Sequence, residues 1–134
     1  MNYIYAVLIV SILFGCKKES LTSSEKGVNI GIQQFNLNDT IRMNVGQIAS
    51  LSNKELTFRF DSVISDSRCP KGMECFIGGI ASMLLTFPDY IDTLNGGQIV
   101  HGMYTIHYIN LLPYPVVNQF IDKNTYVLYL KVTK

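Results

Sequence analysis

The first fifteen residues, MNYIYAVLIVSILFG, hold no side chain that is charged at neutral pH. All 11 basic and all 10 acidic residues of the 134-residue chain follow Cys16. This boundary divides a stretch that avoids water from a stretch that must fold in it. The apolar run Tyr3–Gly15 is 13 residues long. As a helix it would reach about 20 Å, short of the roughly 30 Å hydrocarbon core of a bilayer. Its length suits the h-region of a signal peptide better than a membrane span. The n-region lacks Lys and Arg, so only the terminal amine supplies positive charge there.

The run ends Leu13-Phe14-Gly15-Cys16 and changes abruptly to Lys17-Lys18-Glu19-Ser20. This looks like a bacterial lipobox, with a hydrophobic residue three before the cysteine and a small residue directly before it. The peptidase needs a small side chain beside the scissile bond, and the thiol must be free to accept diacylglycerol. Phe14 is bulkier than the residue usual at its place. The expectation is a lipoprotein signal peptide over residues 1–15 and a lipidated Cys16. Residues 16–27, polar and without periodicity after the cysteine, then form a tether, and residues 28–134 form a single β-rich domain. One acyl chain anchors only marginally, whereas the two or three chains of a bacterial lipoprotein hold far more firmly. The partner implied is therefore the membrane, reached through the lipid anchor, and the location is the cell envelope, at the outer membrane on its periplasmic or surface face.

Two cysteines remain, Cys69 and Cys75. In an exported protein such a pair is most simply a disulfide. The enclosed ring is Cys-Pro-Lys-Gly-Met-Glu-Cys, and Pro70 and Gly72 fit a type I turn starting at Cys69. The rival readings are a redox thiol pair or a metal site. The spacing is not the C-x-x-C of redox domains. A zinc site would need two further ligands, for which only His101 and His107 are at hand. We expect neither metal nor cofactor.

After Cys16 there are 28 Ile, Val and Thr and 12 Tyr and Phe, against two Ala, Ala49 and Ala81. β-Branched and aromatic residues favour strands, and the best helix former is nearly absent. Alternation is plain over Leu56–Phe60, Ala81–Phe87, Tyr104–Tyr108 and Tyr126–Val132, with Leu128, Leu130 and Val132 on the face to be buried. Asn95-Gly96 is a type I′ hairpin signal joining 90–94 to 98–100. Asn38-Asp39 separates 28–35 from 40–45. Pro88 belongs at an edge or bulge. Pro113 and Pro115 stop a strand. Gln47–Leu51 reads as a short helical turn. The pattern predicts an all-β fold of seven to nine strands, an antiparallel β-sandwich (Ig-like or similar), with a small β-barrel as the alternative.

Residues 58–87, FRFDSVISDSRCPKGMECFIGGIASMLLTF, carry a resemblance. The run Asp66-Ser67-Arg68-Cys69-Pro70, a second cysteine, a hydrophobic pair, glycine and an apolar strand resemble a group of small uncharacterised lipoproteins of Bacteroidota-type bacteria. Their pattern is roughly F-x-x-V-x-x-D-S-R-C-P, then C-V-W-x-G. Phe60, Val63 and the whole DSRCP run match. Phe76 and Ile77 replace the valine and tryptophan, and Gly78 or Gly79 takes the glycine place. The resemblance covers about 30 residues and implies location and fold, with no activity attached. Asp39-Thr40-Ile41, Asp61-Ser62-Val63 and Asp92-Thr93-Leu94 each resemble the O-glycosylation acceptor of the same bacteria.

The DSRCP run has a physical reading of its own. Asp66 can accept from a backbone N–H two residues on. Arg68 can pair with Asp66 or with ring carbonyls. The run is then a turn clamp between two strands. The alternative is recognition, with Arg68 and Lys71 receiving an anionic group of a partner or ligand. The net charge of +1 argues against nucleic acid as that partner. There is no G-x-S-x-G, H-E-x-x-H, Walker loop or G-x-G-x-x-G. No catalytic residue is assigned, and the chain is not expected to be an enzyme. The function expected is a non-catalytic binding or structural module of the envelope, whose partner is a protein or another envelope component. The alternatives are a protease inhibitor presenting loop 69–75 through Lys71 or Met73, and an enzyme acting on envelope polymer.

Overall fold

The computed structural model describes residues 31–134, so the expected signal peptide, Cys16 and the tether lie outside the described residues. Nine strands follow in order: β1 (Gln33–Phe35), β2 (Thr40–Asn44), β3 (Ile48–Leu51), β4 (Thr57–Asp66), β5 (Ala81–Thr86), β6 (Ile91–Asn95), β7 (Gln98–His101), β8 (Tyr104–Leu112) and β9 (Val127–Thr133). They form a five-stranded sheet, β1-β3-β4-β5-β6, and a four-stranded sheet, β2-β9-β8-β7. The fold is an all-β sandwich, and the two sheets do not close into a barrel.

Alternation builds the core. Leu128, Leu130 and Val132 of β9 are fully buried, and Ile41 and Met43 of β2 stand against them in register. Ala81, Met83 and Leu85 of β5 supply the facing layer with Phe58, Phe60 and Val63 of β4. Phe60 and Val63 are three residues apart, yet both are buried. The β4–β5 register shifts between Phe60 and Ser62 and again between Val63 and Ser65, and a bulge of this kind resets which face a side chain takes.

Three local expectations are corrected. Gln47–Leu51 is no helical turn: Ile48–Leu51 is an interior strand between β1 and β4, and Ala49, flanked by Gln33 and Phe58, is wholly buried. Packing between two strands overrides the weak helical preference of so short a run. Asn95-Gly96 does turn the chain, with Gly96 at φ +62°, but β6 and β7 are not a hairpin. Asn95 pairs with Ser82 and Gln98 with His107, so the turn carries the chain from one sheet to the other. The sheets are also not wholly antiparallel, because β1 runs parallel to β3. Pro88 lies in the β5–β6 turn, where Phe87 N–H donates to Tyr90 O at 2.8 Å. β8 stops at Leu112, directly before Pro113.

Candidate functional site

The long loops 67–80 and 113–126 leave the same end of the sandwich, where β4 and β8 finish. At their base sits the one buried arginine. Arg68 is 8% exposed, and its guanidinium spends its donors inside the protein. Nε donates to Asp66 Oδ1 at 2.8 Å and Nη2 to Asp66 Oδ2 at 2.6 Å, a two-pronged ion pair. Nη1 donates to Leu111 O at 2.6 Å and Nη2 also to Pro113 O at 3.1 Å. The guanidinium carbon lies 4.6 Å from the centre of the Tyr114 ring. Tyr126 Oη donates to Asp66 Oδ2 at 3.0 Å, and Arg68 N–H to Asp66 Oδ1 at 3.2 Å. The last bond is the two-residue turn expected of Asp66. The carbonyls that Arg68 reaches belong to the exit of β8 and not to the disulfide ring.

Electrostatics follow from this geometry. Burial works to raise the Asp66 carboxyl, but the hydrogen bonds and charge of Arg68, with help from Tyr126, outweigh it and hold the group below its ordinary 3.8. Burial likewise works to lower Arg68, and Asp66 reverses it. Tyr126 is pushed up to about 12, first by burial and then by its bond to the Asp66 carboxylate.

Every residue of the DSRCP run has a place. Ser67 closes the neck of loop 67–80: its N–H donates to Ile80 O at 3.0 Å, and its hydroxyl accepts from Ile80 N–H at 3.1 Å. Cys69 is joined to Cys75 by a disulfide, with Cα atoms 6.0 Å apart. The turn inside the ring starts one residue later than expected. Met73 N–H donates to Pro70 O at 3.2 Å, and Gly72 takes φ +85° at its third position, the left-handed conformation a type II turn needs there. Gly79 packs so closely on the Ser67 carbonyl that a Cβ there would lie 1.6 Å from the oxygen. Of the glycine pair 78–79, it is Gly79 that admits no side chain.

Lys71 stands apart from the ion pair. Its N–H donates to Pro115 O at 3.0 Å, it bridges Val116, and its ammonium lies 5.7 Å from the centre of the Tyr114 ring. Loop 67–80 is thereby tied to loop 113–126. Beside the clamp is a shallow groove of about 280 Å³, lined by Val63, Asp66, Pro115, Phe120 and Tyr126 among others.

The remaining sequence candidates do not converge. His101 ends β7 and stacks on Phe87 at 4.4 Å, with Nδ1 2.8 Å from Tyr90 Oη. His107 lies in β8, its Nε2 2.9 Å from Thr133 Oγ1. Asp61 is bound by Arg59 and Thr86. Among the described residues no group of three or more His, Cys, Asp or Glu is placed to hold a metal. Of the hydroxyls in the three glycosylation-like triplets, Thr40 is exposed, whereas Ser62 and Thr93 are half-buried within strands.

Residue reasoning missed Tyr114 and Tyr126 as members of the clamp. They lie 46 and 58 residues beyond Arg68, and no local signal links them to it. It also missed the exposed side chains at the loop tips, Phe76, Ile77 and Phe120. No protein-family model, no curated protein and no solved structure matches this chain.

Proposed function

We propose that this chain is a lipoprotein of the cell envelope, anchored at the outer membrane through acylated Cys16, whose β-sandwich is a non-catalytic binding or structural module. The observation that carries the reading is the Leu13-Phe14-Gly15-Cys16 boundary, with every charged side chain after it. The disulfide Cys69–Cys75 agrees with folding in an oxidising compartment. Within this reading the DSRCP run is a clamp that fixes the exit of β4. The support is that the Arg68 guanidinium makes four hydrogen bonds, all to protein oxygens, which leaves its planar fork little to offer an outside anion.

The protease-inhibitor reading is less well supported. The inhibitors it invokes would present an extended strand to the protease, whereas residues 70–73 form a turn and the Lys71 N–H is already bonded to Pro115. The test of the anchor is metabolic labelling with palmitate. Wild-type chain should incorporate label and fractionate with membranes, globomycin should block its maturation, and Cys16→Ser should abolish labelling. A wild-type chain that takes up no palmitate label, or a Cys16→Ser chain that is labelled as strongly as wild type, refutes the anchor.

A further inference from the structure

The two loops at the clamp end carry side chains for which the fold has no use. Phe76 is 109% exposed, Phe120 93% and Ile77 85%, and Met73, Val116 and Val117 are exposed as well. They are not on slack segments. The disulfide closes loop 69–75, Ser67 and Ile80 close its neck, and Lys71 pairs with Pro115 and Val116 across to the second loop. The two loops are therefore tied to each other near their bases, and their exposed apolar residues sit on constrained segments, which lowers the ordering cost of burying them elsewhere.

We infer that this end of the sandwich rests on the lipid bilayer, with Phe76, Ile77 and Phe120 inserted among the headgroups and upper acyl chains. The inference builds on the anchored-lipoprotein reading above. Strand direction is its first support. Gln33 stands level with Phe58 across β3, and β1 runs from there away from the clamp end. The chain entering β1 therefore arrives from the side of the apolar loops. The level of Gln33 is about six residues of β5 below Ala81, or about 20 Å at ~3.3 Å per residue. Sixteen residues separate Cys16 from Gln33, and such a length reaches at most ~55 Å. An acylated Cys16 and the loop tips can thus share one membrane surface.

Charge is the second support. Besides the internally paired Asp66 and Arg68, the two loops carry Lys71, Glu74, Asp122 and Lys123, so the surface that meets the lipid is balanced and holds no excess anion to repel phosphate headgroups. Insertion is then driven by apolar burial, and it should not weaken as salt is raised.

The chain contains no tryptophan, which supplies the assay. Phe76→Trp, Phe120→Trp and, at the opposite end, Met103→Trp (61% exposed in the native residue) are each placed in the full acylated chain. They are reconstituted on phosphatidylethanolamine–phosphatidylglycerol vesicles with brominated acyl chains. Acylation is read from intact mass, and attachment from flotation. The expected result is blue-shifted emission from positions 76 and 120, quenched by roughly half or more as befits a depth at the headgroup–acyl boundary, unchanged by salt and absent at position 103. Acylated, floating protein whose Phe76→Trp emission matches that of Met103→Trp overturns the docking while the anchor stands. A blue shift without bromolipid quenching also overturns it, because a second copy or another protein then covers the loops. Protein with an unmodified Cys16 that stays with the soluble fraction overturns the anchored reading and the docking with it.

Discussion

Replacing Arg68 with alanine removes four hydrogen bonds at once and leaves three oxygen groups behind. The Asp66 carboxylate, whose side chain is 8% exposed, keeps only the Tyr126 hydroxyl and a backbone N–H, while the Leu111 and Pro113 carbonyls lose their side-chain donor. Removing one partner of a buried ion pair costs about 3–5 kcal/mol, because the survivor is a buried charge without compensation. The clamp lies at the end of the sandwich, where water can reach Asp66 once the guanidinium is gone, so the lower figure of about 3 kcal/mol applies. For a folded unit of this size that is a fall in Tm of roughly 10–20 °C. The assay is urea and thermal unfolding of oxidised protein, wild type beside Arg68→Ala. Arg68→Lys keeps the charge but not the fork, and should recover less than half of the loss. Lys71→Ala, on the same loop but outside the ion pair, should change stability by no more than about 0.5 kcal/mol. An Arg68→Ala protein that melts within about 2 °C of wild type, on the same scale, would refute the clamp.

The same geometry makes further demands. Asp66 has a folded pKa below its ordinary 3.8, so its contribution is complete above that value and is lost as pH falls through the folded value. Acid unfolding followed by circular dichroism should show this loss in wild type and a smaller one in Arg68→Ala. Tyr126 shifts the other way, from 10.0 to about 12, so its neutral form stabilises below pH 10 and that contribution fades as pH rises to 12. Tyr126→Phe should flatten the alkaline limb of a stability profile. Reducing the disulfide opens a seven-residue ring, which the loop-entropy argument values at about 2.4 kcal/mol. Urea midpoints with and without reductant should differ accordingly while far-ultraviolet dichroism still reports strands. Gly79→Ala forces a methyl group into the Ser67 carbonyl and should cost about 2–3 kcal/mol, whereas Gly78→Ala, with open space around it, should be near neutral.

The fold was legible wherever a strand solves a local problem. The alternation of β9 and β5 names their buried faces, and Pro113 marks where β8 must end. The short apolar run at Ile48–Leu51 was not legible, because four residues cannot distinguish a helical turn from a buried strand until two neighbours claim them. Nor was the partition into sheets. Asn95-Gly96 reports a reversal of direction, but which strands then pair depends on contacts such as Gln98 with His107 that no local pattern encodes. The site divides in the same way. Asp66, Arg68 and the disulfide lie within ten residues of one another and could be read together. The carbonyls of Leu111 and Pro113 and the hydroxyl of Tyr126 arrive from over 40 residues away, brought in by the packing of one sheet on the other. The exposed Phe76 and Phe120 were hidden for the opposite reason: in sequence, an aromatic residue looks like core.

An anchored, oxidised chain differs from a cytosolic one in the covalent state of three sulfurs, those of Cys16, Cys69 and Cys75, and one measurement reads all of them. Protein taken from its native cells is alkylated without reductant, and its intact mass is determined. The prediction is a chain that begins at Cys16, carries the mass of two or three acyl chains, and shows no alkylated thiol because Cys69 and Cys75 are joined. A chain that retains residues 1–15, bears no lipid and takes up alkylating agent at all three cysteines would contradict it.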